Sequence, residues 1–132
     1  MLRVLLALAD DLTQAQAQIA AIEDMIETAD GAKAFLLHVF ENNPEGGSVQ
    51  DVEAVRKVKD SLESAGVSVE LLESSGDPAG QVLKYAEEHD VDQICIGGRK
   101  RSPAGKALFG SVAQDVVLGT NRPVLLCGST GE

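Results

Sequence analysis

Hydrophobic residues along the chain follow two patterns, short continuous runs and longer segments in which they recur every three or four residues. The continuous runs lie at 4–9, 34–40, 93–97 and 123–127, and a run at 67–73 alternates in part. Continuous runs of this length are typical of parallel strands covered on both faces, whereas partial alternation indicates a more exposed strand near a sheet edge. The pattern therefore predicts five strands.

The periodic segments between these runs predict four helices. In the first, apolar residues recur from Leu12 to Ala29, and Thr13 with Gln16 fits a capping box. We therefore expect this helix to begin within residues 10–13 and to end at Gly31.

The other three helices are predicted by apolar spacing together with start and stop residues. The third opens with Asp77 as N-cap and Pro78 in the first helical position, and ends near His89. The fourth covers 111–118 and stops at Gly119. The second ends at Gly66, and its inward-facing residues are Val52, Val55, Val58, Leu62 and Ala65.

Strands and helices thus alternate from one end of the chain to the other. Such alternation predicts an α/β fold with one open, doubly wound parallel sheet, right-handed crossovers and helices on both faces. A chain of 132 residues with no repeat or linker suits a single domain.

Composition narrows the functional classes. Aromatic residues make up only 3% of the chain, so aliphatic side chains must build the core. A formal net charge of −10 argues against nucleic acid or an anionic membrane as a partner. The apolar run near the start is too short for a membrane span or a signal peptide, so we expect a cytoplasmic protein. Cys95 and Cys127 lie in apolar strands without metal-ligand spacing and are predicted to be buried, inert thiols.

Positive charge is concentrated in one place. Four of the eleven Lys and Arg residues, Arg99, Lys100, Arg101 and Lys106, follow the turn at Gly97–Gly98 and precede the last helix. Glycine allows close approach of backbone N–H groups to a ligand, and the first turn of a helix leaves N–H groups unpaired. The stretch is therefore either an anion site, such as a phosphate site, or a solvated surface loop.

Two common phosphate-binding motifs are excluded. A Walker A loop requires Ser or Thr after Gly-Lys, but Lys106 is followed by Ala107, and Lys100 stands where the first glycine belongs. A Rossmann Gly-x-Gly-x-x-Gly motif is missing after the first strand, which runs into Ala9-Asp10-Asp11.

The arrangement resembles the C-terminal signature of the universal stress protein family, Gly-x-x-Gly, nine residues, then Gly-Ser/Thr. Gly97 matches the first position and Gly110-Ser111 the last two, whereas Lys100 replaces the second glycine. The similarity covers nearly the whole chain, through the segments RVLLALA, LLHVF, GDPAGQVLKYAEEHDVD and NRPVLLC.

The resemblance implies a fold, a ligand and an assembly. The implied strand order is 3-2-1-4-5, with ATP or another adenine nucleotide, with or without Mg²⁺, bound where the order reverses, in a general stress response. It also implies a homodimer through the fifth strand, at Val124, Leu125 and Leu126. By the same resemblance, the nucleotide contacts are Ala7, Leu8, Ala9, Asp10, Val39, Ile96, Gly97, Gly98, Arg99, Lys100, Gly110, Ser111 and Val112.

Departures from the family pattern leave alternatives open. Ala9 occupies the position of an Asp that contacts the nucleoside in nucleotide-binding relatives, and Asp10 either replaces it or caps the first helix. Ser111 with Gln114 fits a capping box whether or not a ligand binds. Ala9 and Lys100 favour a rival hypothesis, a family member that binds no nucleotide and acts as a protein-interaction module.

The sequence offers no catalytic set. His38 falls inside a strand, where we expect a packed core residue, and His89 lies near a helix C-terminus, which favours its charge. No nucleophile with its base and no pair of acids has a defined spacing. Enzyme activity is therefore expected to reach slow ATP hydrolysis at most.

Overall fold

A computed structural model describes residues 1–40, 47–101 and 107–128. Strands and helices alternate along the chain, and one 3-10 turn, at Val49–Asp51, precedes the second helix. The elements are β1 (Leu2–Ala7), α1 (Leu12–Thr28), β2 (Ala32–Phe40), α2 (Glu53–Ser64), β3 (Ser68–Ser75), α3 (Pro78–Glu88), β4 (Gln93–Arg101), β5 (Ala107–Phe109), α4 (Ser111–Gly119) and β6 (Val124–Gly128).

The sheet has five parallel strands in the order β3-β2-β1-β4-β6, with the short β5 added antiparallel to the end of β4. The predicted fold class and strand order are confirmed, with β6 as the fifth parallel strand. β1 lies in the middle, where Ala7 pairs with Leu37 of β2 and Ile96 of β4. The strand order reverses between β1 and β4, so a crevice opens at the carboxyl ends of these strands.

Two hydrophobic layers cover the two faces of the sheet. Leu6 and Leu36 belong to the layer under α1 and α2, whereas Leu5 and Phe35 belong to the layer under α3. Adjacent residues of a strand alternate between the layers, as the pleat requires. All four side chains are fully buried, which explains why these strands are continuous apolar runs. Within the described part of the chain, no helix is long and apolar enough to cross a membrane.

The helix starts differ from the sequence prediction in two places. Asp11 is the N-cap of α1, and its carboxylate accepts a hydrogen bond from the Gln14 N–H, so the predicted capping box of Thr13 and Gln16 is wrong. Gly110 is the N-cap of α4 and makes no side-chain cap bond, so Ser111 is the first helical residue and its predicted capping box is also wrong. Because Asp11 is the N-cap of α1, Asp10 does not cap this helix.

Other boundaries shift by a few residues. β1 ends at Ala7 rather than at 9, β2 and α2 keep their predicted cores, and α3 has the predicted N-cap, Asp77. Ala65 was predicted to face inward but is exposed, because α2 ends at Ser64 and Ala65 forms its C-cap. Most of the loop predicted at 41–48 lies outside the described residues.

The basic stretch is the largest correction to the predicted elements. β4 does not stop at Gly97 but continues to Arg101, and Arg99 pairs with Phe109 of β5. Gly98 has φ +111° and interrupts the register with β6, which lets the strand bend and continue. Arg99, Lys100 and Arg101 are therefore strand residues rather than loop residues, and Lys106 lies outside the described part.

Candidate functional site

A cavity of about 690 Å³ opens at the carboxyl ends of β1, β2 and β4, where the strand order reverses. Small-molecule sites typically have volumes of about 300–1,000 Å³. The residues that line it are Ala7, Leu8, Ala9, Asp10, Gln14, Leu37, His38, Val39, Phe40, Pro78, Val82, Ile96, Gly97, Gly98, Gly110, Ser111, Val112 and Ala113.

The end of β1 forms the floor of the cavity and is tied to β2. The Leu8 N–H donates to the Leu37 carbonyl at 2.9 Å, and His38 Nδ1 lies 2.7 Å from the Leu8 carbonyl oxygen. The second contact requires a proton on Nδ1, since a carbonyl oxygen only accepts. His38 is half-buried and lines the cavity, so the expectation of a packed core histidine is wrong. Its role is to fix the backbone that leads into Ala9 and Asp10.

Gln18 holds the seam between the two central strands from below. Its side chain is the one buried polar side chain among the described residues. Its Nε2 donates to the Ala7 carbonyl at 3.0 Å and to the Cys95 carbonyl at 3.3 Å. Ala7 and Cys95 belong to β1 and β4, so one amide fixes the relative position of the strand ends that frame the crevice.

One wall of the cavity is apolar. Val39 and Phe40 contribute from the end of β2, and Pro78 and Val82 from the start of α3. The His38 ring meets the Phe40 ring edge-on, with centroids 4.6 Å apart. This wall suits a flat, largely apolar group such as an aromatic base.

The opposite side combines glycines with a helix start. The Gly110 N–H donates to the Gly98 carbonyl at 3.0 Å, which holds the start of α4 beside the end of β4. The N–H groups of the first turn of a helix have no partner within the helix and attract anions. Since Gly110, Ser111, Val112 and Ala113 line the cavity, this turn faces it. The glycine side is therefore suited to an anionic group.

The carboxylate at the mouth of the cavity is Asp10. The sequence left open whether Asp10 caps α1 or contacts a ligand. Asp11 is the cap of α1, so Asp10 does not have that role. Asp10 is exposed and lines the cavity, as does the adjacent Ala9. Asp10 is therefore free of a structural cap role and available to a ligand.

The cavity brings together every site residue that the resemblance implied, apart from Arg99 and Lys100. Those two belong to the β4–β5 hairpin, and the structure describes their backbone alone. Sequence reasoning missed the contributions of Gln14, Leu37, His38, Phe40, Pro78, Val82 and Ala113. The β2 residues among them could have been predicted from the implied strand order. β2 lies next to β1 in that order, so the end of β2 must border the same crevice.

Two thiols lie beneath the site. Cys95 and Cys127 are buried on neighbouring strands with sulfurs 3.5 Å apart. The contact with Cys127 and burial together raise the pKa of the Cys95 thiol above its ordinary value. Both thiols are buried, as predicted. In the described part of the chain, no group of three or more His, Cys, Asp or Glu side chains forms a candidate metal site.

The sequence model of the universal stress protein family matches residues 1–128. The chain therefore belongs to the universal stress protein family. A universal stress protein of Mycolicibacterium smegmatis is 39% identical over 80 residues, which cover 60% of this chain and 57% of that protein. Universal stress protein MJ0577 of Methanocaldococcus jannaschii is 30% identical over 88 residues, or 66% of this chain and 54% of that protein. The chain thus matches about half the length of these relatives.

Solved structures share the fold over almost the full chain. MJ0577 superimposes with a TM-score of 0.76 at 22% identity, covering 99% of this chain and 98% of that one. A universal stress protein in complex with cAMP superimposes with a TM-score of 0.73 at 21% identity, covering 98% of both chains. A universal stress protein family protein of Arabidopsis thaliana with AMP bound superimposes with a TM-score of 0.73 at 17% identity, covering 99% of this chain and 94% of that one. At these identities the likeness shows the α/β fold.

Proposed function

We propose that this protein binds ATP or a related adenine nucleotide in the cavity at the carboxyl ends of β1, β2 and β4, as part of a general stress response. The observation that carries the proposal is the division of this cavity into an apolar wall and a glycine-lined helix start. Complexes of family members with cAMP and with AMP support the ligand class.

The two sides of the cavity match the two parts of a nucleotide. The adenine lies against Val39, Pro78 and Val82, since flat apolar groups are stabilised by burial against such side chains. The phosphates lie against Gly97, Gly98 and the first turn of α4, where short backbone and unpaired N–H groups allow close approach. Asp10, at the mouth, accepts hydrogen bonds from ribose hydroxyls.

The resemblance also proposes Arg99 and Lys100 as cationic contacts to the phosphates. Their backbone positions in β4 directly follow Gly98, so both residues start beside the phosphate end of the cavity. The described residues include no group of three or more candidate metal ligands, so the nucleotide phosphates would supply most of the protein-independent ligands of Mg²⁺.

The first test is the identification of small molecules carried by the protein. The purified protein is denatured, and the released compounds are identified by mass spectrometry. The proposal predicts an adenine nucleotide in the released fraction, or its stoichiometric uptake when ATP and Mg²⁺ are added before purification. Failure of both would favour a protein-interaction module without nucleotide.

We further propose a homodimer through β6. The free edge of β6 is half-buried at Val124, Leu125 and Leu126, and no described strand pairs with it. Leu118 of α4 is 84% exposed, and it borders an apolar groove together with Val117 and Leu126. Pairing with a second copy across a two-fold axis would cover both the strand edge and these side chains.

The protein is proposed to act as a binding protein in the cytoplasm rather than as an efficient enzyme. Hydrolysis of bound ATP requires a base that orients water, and Asp10 is the described carboxylate in the cavity lining. An exposed carboxylate with no partner among the described residues supports slow hydrolysis at most.

A further inference from the structure

Gln14 is a cavity residue that neither the glycine signature nor the family resemblance assigns. It is the third residue of α1, and its backbone N–H donates to the N-cap carboxylate of Asp11 at 3.2 Å. A glutamine in this position commonly returns its side chain to the N-cap backbone. Here the side chain extends across the crevice instead and lines the cavity.

The carboxamide of Gln14 lies directly over Gly97. A Cβ atom on Gly97 would come within 2.6 Å of Gln14 Oε1 and 3.1 Å of Cδ, so only a glycine leaves room for the amide in this position. Oxygen and nitrogen of an amide exchange places by a simple flip, so either end can face Gly97. Gly97 therefore provides space for a polar side chain as well as for a ligand.

The Gln14 side chain is half-buried and makes no hydrogen bond to any residue that the structure describes. Its amide has two N–H donors and a carbonyl acceptor available in the cavity. It lies on the glycine side, opposite the apolar wall and near the first turn of α4, where an anion is favoured. An amide suits that position because its N–H groups can donate to an anion, whereas the nearby carboxylate of Asp10 can only accept.

Building on the proposed function, we infer that the Gln14 amide donates a hydrogen bond to the first phosphate of the nucleotide, the one next to Gly97. Gln14 thereby favours a nucleotide over the corresponding nucleoside. The contact adds a side-chain donor from α1 to the backbone donors of α4, so the phosphate is held from both sides of the crevice.

The test compares two probes, AMP and adenosine, on matched variants. Gln14→Ala should weaken AMP binding about tenfold, the usual effect of losing one hydrogen bond to a charged group, and leave adenosine binding within about twofold. Gln14→Glu should weaken AMP binding further, because a carboxylate repels the phosphate. Gln16→Ala and Gln16→Glu are the controls, since Gln16 lies on the exposed side of the same helix and carries the same changes in charge and size.

Folding does not obscure the result, because Glu at this position of a helix start is at least as favourable as Gln. Thermal unfolding of each variant without ligand provides the check. AMP affinities that match the Gln16 controls overturn the inference, as does an equal loss for AMP and adenosine. Tighter AMP binding by Gln14→Ala also overturns it, since the side chain would then obstruct the cavity. A wild-type protein that binds neither probe overturns the proposed function itself, and this inference with it.

Discussion

Gln18 Nε2 lies 3.0 Å from the carbonyl oxygen of Ala7, so a side chain from the first helix holds the last residue of the central strand. The same nitrogen reaches the Cys95 carbonyl of β4 at 3.3 Å. The two strands that frame the crevice are therefore joined from below by a buried amide, in addition to their own ladder.

Gln18→Leu is expected to lower the free energy of unfolding by about 1–3 kcal/mol, because it removes the donor to the Ala7 and Cys95 carbonyl groups without changing the side-chain size greatly. Gln16→Leu, on the exposed side of the same helix, controls for helix propensity and should change stability by less than about 0.5 kcal/mol. Urea unfolding measures both values. Equal effects of the two variants would contradict the assigned role of Gln18.

His38 is expected to act through its Nδ1–H. Asn places an amide donor close to that position, whereas Leu has none, so His38→Asn should keep most of the AMP affinity and His38→Leu should lose it about tenfold. Fluorescence competition or calorimetry with AMP provides the comparison. If His38→Asn binds as poorly as His38→Leu, the imidazole ring itself, rather than its hydrogen bond to Leu8, is what the site requires.

Burial of the Cys95 thiol is expected to lower the free energy of unfolding at alkaline pH. Its pKa is raised in the folded protein, mainly by the contact with Cys127 and by burial, from an ordinary value of 9.0. The folded state therefore keeps the proton while the unfolded state releases it. The stabilisation is fully present below about pH 9 and declines above it by up to about 1.4 kcal/mol per pH unit.

Cys95→Ala should reduce this decline, which urea unfolding at a series of pH values between 7 and 10 would reveal as a flatter profile. Since Ala also leaves a small cavity, the variant starts from a lower stability at pH 7, and the slope is the quantity to compare. Parallel slopes in the two proteins would show that Cys95 does not carry the alkaline loss.

Leu118→Lys is expected to convert the proposed dimer into a monomer. Leu118 is largely exposed, so a lysine in its place puts a charge at the apolar groove beside β6 without disturbing the core. Leu125, by comparison, packs against the core layer under α1 and α2, and a lysine there would affect folding as well. Ala20→Lys, on the exposed surface of α1, is the charge-matched control.

Light scattering at tens of micromolar protein should give twice the chain mass of 13.8 kDa for the wild type and for Ala20→Lys, and the single-chain mass for Leu118→Lys. A wild-type mass near that of one chain rules out the dimer. A dimeric Leu118→Lys variant would move the interface away from this groove.

The sequence predicts the fold well because its strongest signals are local. Continuous runs such as 34–40 are typical of strands covered on both faces, and Asp77 with Pro78 marks a helix start. The β4–β5 hairpin escaped prediction, because Arg99, Lys100 and Arg101 look like a solvated loop until Ala107–Phe109 pairs with them across the chain. Strand formation by residues of such composition depends on cross-strand packing, which the pattern of hydrophobic positions does not encode.

The site was predicted in part for a similar reason. Gly97, Gly110 and Ser111 stand in a recognisable spacing, but Gln14 and Gln18 are ordinary residues of an amphipathic helix. Their roles arise only when α1 crosses the ends of β1 and β4. The choice between Asp10 and Asp11 as N-cap likewise depends on where β1 ends, and this boundary differed by two residues from the prediction.

Titration of the purified wild-type protein with ATP in the presence of Mg²⁺, followed by isothermal calorimetry, tests the central claim most directly. One nucleotide per chain should bind, held by the apolar wall, the glycine turn and the first turn of α4. We expect a dissociation constant of micromolar order, which corresponds to a binding free energy of roughly −8 kcal/mol. Absence of binding up to millimolar ATP, in protein shown to be folded and free of bound nucleotide, would contradict the proposed function.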